Sequence, residues 1–555
     1  MEAVARKSAL VLPNRPEGSG SLSFRSAPLR RDLLATDPFS IAGRHAHAFG
    51  RADRGIADLE IREQSALHDL HVQHSVFERG VITSLGLERT LRSGNSVVTE
   101  HAVILPDAAA LTMEWTSAVG TSIDLAWRHE ARLGPGCIQW NSSQDGLIVE
   151  LAGGLTIACM FSVPVVALDV VPTTDRARGI AAIDVHARLA LPAPGIRMHI
   201  AGAAIADGDR ALDSTLASLR NVMPLTRSLA ARQVQRAHAG ISIASPEPGL
   251  DEAVEWAKQR IAVAPLEPKR PIDALAAALG ALGANDADVA RAMIGRLAKS
   301  PADYLIALAH YFAWSGDAPF VGMEWERAQA AVHELLRTGP DGEPALWVEA
   351  VSRIAAVARD VGQTAFATDL DTVVRRERIV HAATLRESHW LAAADHPATT
   401  AWLHFARGED VRALRRLENA VARARYDLTD PARVLVPVCL GLLGLEPDAT
   451  RGRIRIRPRL PDAWSYLDVR GIPIGDAAVA MRWQRQRGRH VFTFRQERGP
   501  VPLRLIFEPL LQPAARLVAA VDGVAATLDA VPHHGRMMVP VQLALDAERV
   551  ITMET

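Results

Sequence analysis

The sequence predicts a multidomain α+β chain ordered sheet, helices, sheet, and three observations carry that reading. Between about residues 20 and 240, short alternating or apolar runs are separated by Gly, Asn, Asp and Pro at the spacing of an antiparallel β-sandwich. From Asp251 the apolar period becomes helical, and at Arg453 strict alternation returns. A length of 555 residues leaves room for three or four domains at ~100–200 residues each, every one large enough to bury its own core.

The first domain, 1–245, is expected to be a β-sandwich whose strands include Val81–Leu85, Ser96–Leu105, Leu111–Trp115, Ile123–Trp127, Leu147–Leu151, Leu155–Met160 and Ile183–Leu189. Ser242–Leu250 reads as a turn-rich linker, and Asp251 as the cap of the first helix. Across 250–445 the pattern predicts eleven helices, near 251–263, 271–283, 286–298, 301–315, 323–337, 344–361, 364–377, 379–392, 397–407, 410–424 and 432–443. Alanine is abundant here, which favours helix and lets neighbours approach closely. A ring of paired helices is one packing open to such a series. In 446–555 the alternation Arg453-Ile-Arg-Ile puts Ile454 and Ile456 on one face and opens a second sheet domain, with Arg485–Arg489 as a basic hairpin tip.

Charge and composition exclude several functions. Sixty-two Lys and Arg against 63 Asp and Glu leave a net charge of −1, too balanced for a nucleic-acid binder. Cys137, Cys159 and Cys439 sit in apolar settings with no CxxC pattern, so they read as buried thiols of a reducing compartment. The histidine pairs His45/His47 and His533/His534 lack the spacing and acidic companions of a metal site, and no phosphate-binding glycine loop or serine elbow occurs. No metal and no cofactor are expected. Behind Arg6 and Lys7 the apolar stretch is too short for a secretory leader, and Leu151–Val171 is interrupted by Thr156, Pro164 and Asp169. These features point to a cytoplasmic protein with no membrane partner.

The stretch Gly441-Leu-Leu-Gly-Leu-Glu-Pro-Asp-Ala-Thr, followed by Arg453–Asp476, resembles the join between the last barrel helix and the C-terminal sheet of six-hairpin glycosidases, in particular bacterial amylo-α-1,6-glucosidase or glycogen-debranching-like proteins. Pro301–Val321, with its Trp-Ser-Gly-Asp turn, Ala345–Gly362 and Gly50–Leu59 are similar to further parts of that family. The resemblance implies a supersandwich-like N-terminal domain, a central (α/α)6 toroid and a C-terminal β-sandwich. It also implies a glycoside hydrolase acting on an α-glucan or related oligosaccharide. At the join, Gly441 and Gly444 are expected to let the last helix turn, Pro447 to stop it, and Leu460, Trp464 and Leu467 to anchor the strands that follow.

Hydrolysis of a glycosidic bond without metal needs two carboxyl groups facing one sugar, one protonated and one ionised. The family carries its acid just before the helix matching Ala345–Val361, which makes Glu343 the preferred general acid and Asp341 the fallback. The resemblance places the second carboxylate before the last barrel helix, where Asp427 or Asp430 could serve; Asp427 is the candidate, since Asp430-Pro431 also reads as a capped helix start. Trp314 and Trp325, on either side of the Ser-Gly-Asp turn, are the sugar-stacking candidates, with Glu324 beside them. The rim segments are shorter than in the family, and the alternative reading is a degenerate relative that binds glycan without cleaving it.

Overall fold

The computed structural model describes residues 30–554 except 44, 63, 84–85, 105–107, 119, 133–136, 141–145, 152, 176–179, 192–194, 220–238, 264–267, 269, 341–342, 425–429 and 514–516. The N-terminal part is a sandwich of a nine-stranded and a seven-stranded antiparallel sheet. Alternation explains it: in Ser96–Ile104, Val98, Glu100, Ala102 and Ile104 turn inward while their neighbours face out. Both sheets contribute to one core, Leu59 and Leu67 from one and Leu87, Val98 and Met113 from the other. Inside it lies an ion pair foreign to the apolar pattern. Arg89 donates to Glu100 at 2.7 Å and to the Ala52 carbonyl at 2.9 Å, and the Trp115 indole donates to Glu100 at 3.0 Å.

The expectation of strands alone up to residue 240 is corrected by helix α1 (Asp209–Leu219). It lies on the outer face of the nine-stranded sheet, where Ala110, Ala158, Ala201 and Ala203 leave room for Leu212. Small side chains on that face allow a helix to seat where larger ones would hold it off.

Among the described residues eleven further helices follow: α2 (Pro248–Val263), α3 (Pro271–Gly283), α4 (Ala287–Arg296), α5 (Pro301–Ser315), α6 (Ala318–Thr338), α7 (Pro344–Asp360), α8 (Thr364–Val380), α9 (Ala382–Glu387), α10 (Pro397–Ala406), α11 (Asp410–Ala424) and α12 (Ala432–Val436). Four differ from the sequence expectation, one of them being α12, which ends at Val436 where a helix to 443 is expected. α2 begins before Asp251, whose carboxylate reaches back to accept from the Ser245 amide and hydroxyl rather than capping the helix. α6 begins at Ala318 because Asp317 accepts from the Phe320 amide at 3.1 Å and Pro319 stands in its first turn. The stretch expected as one helix over 379–392 breaks after Glu387, and a single 3-10 turn, Trp390–Ala392, follows.

Neighbour contacts close a circuit: α3 on α5, α5 on α7, α7 on the turn Trp390–Ala392, that turn on α10, α10 on α12, and α12 back on α3. α4, α6, α8 and α11 pack outside their inner partners, and α2 lies against α11 and α12. Among the described residues, five stations of the ring are helices and the sixth is the short turn. The resemblance implies six equal hairpins; here one has shrunk. The inner helices are apolar nearly all round, every residue of α3 from Ala274 to Gly283 being buried, as a helix covered on both sides requires.

After α12 the chain continues as a π-turn, Pro437–Leu442. Pro437 has no amide hydrogen to donate, and the Leu443 amide reaches five residues back to Val438. Gly441 does not turn the helix as expected: a Cβ there would stand 2.4 Å from the Phe405 ring, so it serves close packing. The turn is made by Gly444, at φ 57°, where a Cβ would meet the Arg457 carbonyl at 2.3 Å. Pro447, expected to stop the helix, lies in the strand Leu445–Asp448 that follows.

The C-terminal part holds seven-, four- and three-stranded sheets. Ile454 and Ile456 are buried as their alternation requires, and the basic tip turns at Arg487 and Gly488, both at positive φ. Phe507 packs edge-on against Phe492 and Phe494 at 4.7 Å. One strand comes from the expected linker: Ser242–Ala244 pairs with Asp468–Arg470 at the edge of the seven-stranded sheet. No helix among the described residues is long and apolar enough to cross a membrane.

Two substitutions test these cores. Glu100→Ala leaves Arg89 buried without its counter-charge and should cost about 3–5 kcal/mol by urea denaturation. Trp464 is 5% exposed in the core shared by the helices and the C-terminal sheets. Trp464→Ala should likewise cost about 3–5 kcal/mol while leaving glycan affinity unchanged, and an unchanged melting temperature would show that the ring is not part of that core.

Candidate functional site

The N-terminal ends of the inner helices form one rim of the ring. There Arg270 pairs with Asp273 at 2.8 Å and reaches the Asp395 carbonyl, which ties the start of α3 to that of α10. His396 is buried, accepts from the Ala398 amide through Nδ1, and holds Asp430 through Nε2 at 2.9 Å. Asp430 also takes Arg433 at 2.9 Å. Burial by itself would raise this carboxyl, but the hydrogen bond from His396 and the charge of Arg433 outweigh it and hold Asp430 below its usual range. The capping expected of Asp430 is therefore not its role, because a desolvated carboxylate finds two strong side-chain donors closer than the helix amides.

Glu343 stands at the N-cap position of α7 with its side chain exposed and no capping bond. Asp341 and Asp427 lie outside the described residues. α7 and α12 hold opposite stations of the ring.

Within the ring, polar and aromatic side chains of α5, α7, α10 and the turn Trp390–Ala392 pack on one another. His310 of α5 meets Trp402 of α10 edge-on at 6.1 Å, Trp402 meets Trp390 at 5.3 Å, and His389 stacks on Trp390 at 6.2 Å. From α7, Glu349 and Arg353 add an ion pair at 2.5 Å, one turn apart. Burial first, then the Arg353 charge, lowers His310 well below the ordinary histidine value; burial likewise lowers His389. Both imidazoles are neutral near pH 7 and can each donate one hydrogen bond and accept another. Aromatic walls beside neutral donors and acceptors suit a polyhydroxyl ligand.

The expected stacking pair is not assembled. Trp314, at the end of α5, is 4% exposed and faces a cavity at the other end of the ring. Trp325 lies in the outer layer, edge-on to Phe366 of α8 at 6.0 Å. Glu324 accepts from the Tyr304 hydroxyl at 2.9 Å and pairs with Arg327 at 2.8 Å, which ties α6 to α5. The reason is the early start of α6, which puts positions 324 and 325 well inside the helix rather than in the first turn expected from a start at 323. Sequence reasoning passed over His310, Glu349, Arg353 and His389. The one available signal was their polarity within otherwise apolar helical runs, where the i, i+4 pair Glu349/Arg353 also reads as a solvated stripe.

No family model matches the chain, and no curated protein matches it. Among solved structures it is similar to a protein assigned as a kojibiose phosphorylase from human microbiome, at 9% identity over 93% of this chain and 92% of that one, with a TM-score of 0.50. A bacterial glucoamylase complexed with acarbose (9% identity, 63% and 70% coverage, TM-score 0.41) and an α-L-rhamnosidase from Dictyoglumus thermophilum (10%, 95% and 64%, 0.42) also match. At such identities the likeness is one of fold, and the first match shows that the order of sheets, helices and sheets is shared from end to end.

The Asp430 cluster yields a pH test. A carboxyl held below its unfolded value contributes stability that is complete above about pH 4 and drains as the pH falls through the folded value. Asp430→Asn should cost about 2 kcal/mol at pH 7, the scale of hydrogen bonds to a charged group. The gap from wild type in urea denaturation should shrink on acidification from pH 5 to pH 3; a constant gap would mean that the charge plays no part.

Proposed function

We propose that the protein is a carbohydrate-active enzyme, a glycoside hydrolase of glycogen-debranching type that acts on an α-glucan or related oligosaccharide at the N-terminal rim of its helical ring. The observation that carries the reading is the column of Trp390, Trp402, His310 and His389 with Glu349 and Arg353. Such a column binds the apolar faces of pyranose rings and their hydroxyls together. The end-to-end likeness of fold to a glycan phosphorylase supports it. In this reading Glu343 protonates the leaving oxygen, with Asp341 as fallback, and Asp427 supplies the second carboxylate. Water is the acceptor, and the pair acts without metal or cofactor.

A second reading is favoured by one observation. The described carboxylates nearest the cleft, Asp430 and Glu349, are each held by a basic side chain, which suits a protein that binds glycan and leaves it intact.

The deciding assay measures turnover of maltooligosaccharides and a branched dextrin by wild type, Glu343→Gln and Asp341→Asn, with folding checked by circular dichroism. It is run with and without inorganic phosphate, since the matched fold includes a phosphorylase. Loss of the general acid should lower turnover by ~10²–10⁴-fold. Full turnover in both variants would remove the loop from the mechanism. Cleavage only in phosphate would make the reaction phosphorolysis, and binding without cleavage by the wild type would establish the second reading.

A further inference from the structure

At the end of the ring opposite the rim, a cavity of about 370 Å³ opens between the C-terminal ends of α5 and α7 and the segment 445–455. That volume falls within the range of small-molecule sites. Three of its lining groups hold a buried polar atom with no hydrogen-bond partner: His310 Nε2 and Trp314 Nε1, on side chains 6% and 4% exposed, and Arg455 Nε, whose guanidinium is paired through its other atoms and by the Glu508 charge. Leaving such atoms unmet costs about 1–3 kcal/mol each, and a ligand hydroxyl would recover it. Trp314 is braced where it stands, because its carbonyl accepts from the Gly475 amide at 2.6 Å.

The far wall carries acceptors. Asp448 and Asp360 both take the Thr450 hydroxyl, at 2.8 and 3.3 Å, and both pair with Arg451, at 3.1 and 2.5 Å. Four guanidinium groups line the cavity, and each is already neutralised: Arg353 by Glu349, Arg451 by Asp360 and Asp448, Arg453 by Asp448, and Arg455 by Glu446 and Glu508. An anion entering here would meet carboxylates as well as arginines. A neutral ligand that both donates and accepts, with an apolar face for Trp314 and Trp402, meets complementary groups on every side.

We propose that this cavity is a saccharide subsite, which takes a neutral hexose unit at the end of the ring remote from the rim; His310, Arg353 and Trp402 belong both to its lining and to the column of the proposed function, so the two sites share these side chains. Trp314 and His310 face the sugar hydroxyls from α5, and Asp360 and Asp448 accept from them on the opposite wall. The proposal does not rest on cleavage at the rim, since it concerns binding alone.

Calorimetric titration of the full chain with glucose, maltose and, separately, inorganic phosphate tests it. Three variants accompany the wild type: Trp314→Phe removes the indole donor, Ala356→Leu fills the cavity without touching an ion pair, and Glu343→Gln alters only the rim. The wild type should bind glucose or maltose. Trp314→Phe and Ala356→Leu should each weaken a binding component by at least about tenfold, the scale of one buried hydrogen bond, and Glu343→Gln should leave that component intact. A protein that cleaves nothing still answers the question. Absence of sugar binding, equal affinity in folded Trp314→Phe and Ala356→Leu, or saturation by phosphate in place of sugar would overturn it.

Discussion

The close approach of α3, α10 and α12 is the constraint on which the rest of the molecule depends. A Cβ at Gly283 would stand 2.7 Å from the Cys439 sulfur, one at Gly280 would stand 3.3 Å from the Ala432 backbone, and Gly441 lies against Phe405. At this seam the ring closes on itself, and only residues without side chains let the backbones come together. With the seam closed, the inner helices bury both faces and the polar residues left on them must pack on one another. The candidate site is thus a product of packing: His310, Glu349, Arg353 and Trp402 are brought together because the ring leaves them one place to go.

The same enclosure controls the electrostatics. Charged groups withdrawn from water are stable only when paired, and nearly every carboxylate near the column or in the lower cavity has acquired an arginine or histidine. Paired carboxylates remain ionised and make acceptors; they do not make acids. Glu343, exposed at the start of α7, is a described rim carboxylate without an ion pair, and so is Asp303 in the first turn of α5, which accepts from the Ser300 hydroxyl and is raised by burial. This division explains why cleavage and plain binding both find support in one cleft, and why the lower cavity suits a neutral sugar better than an anion.

The segment between the first sheets and the helices couples all three parts. Ser242–Ala244 completes the edge of the C-terminal seven-stranded sheet, and the Tyr466 hydroxyl donates to the Ser245 carbonyl at 2.7 Å. Further along, Trp256 of α2 is buried in the core of the N-terminal sandwich. Lys258, fully buried, is met by Glu255 and Ser242 at 2.9 Å. A stretch that composition marks as linker is thus a three-way joint.

The order of sheets and helices, most helix bounds, the burial of Ile454 and Ile456 and the basic tip at Arg487 were all determined locally, because period, turn chemistry and proline position act over a few residues and show in the sequence. The resemblance at Gly441–Asp476 added the architecture of the whole. Tertiary structure decided the remainder. Trp314 and Trp325 are neighbours in sequence, yet one faces a cavity and the other an outer helix, since the start of α6 at Ala318 rotates them apart. Asp430 reads as a cap until His396, distant in sequence, is brought beside it. Glu100 and Arg89 look like solvent-facing residues of alternating strands, and only the packing of two sheets shows that they are buried together. In each case the outcome depends on a partner far along the chain, and local pattern carries no information about which partner folding will supply.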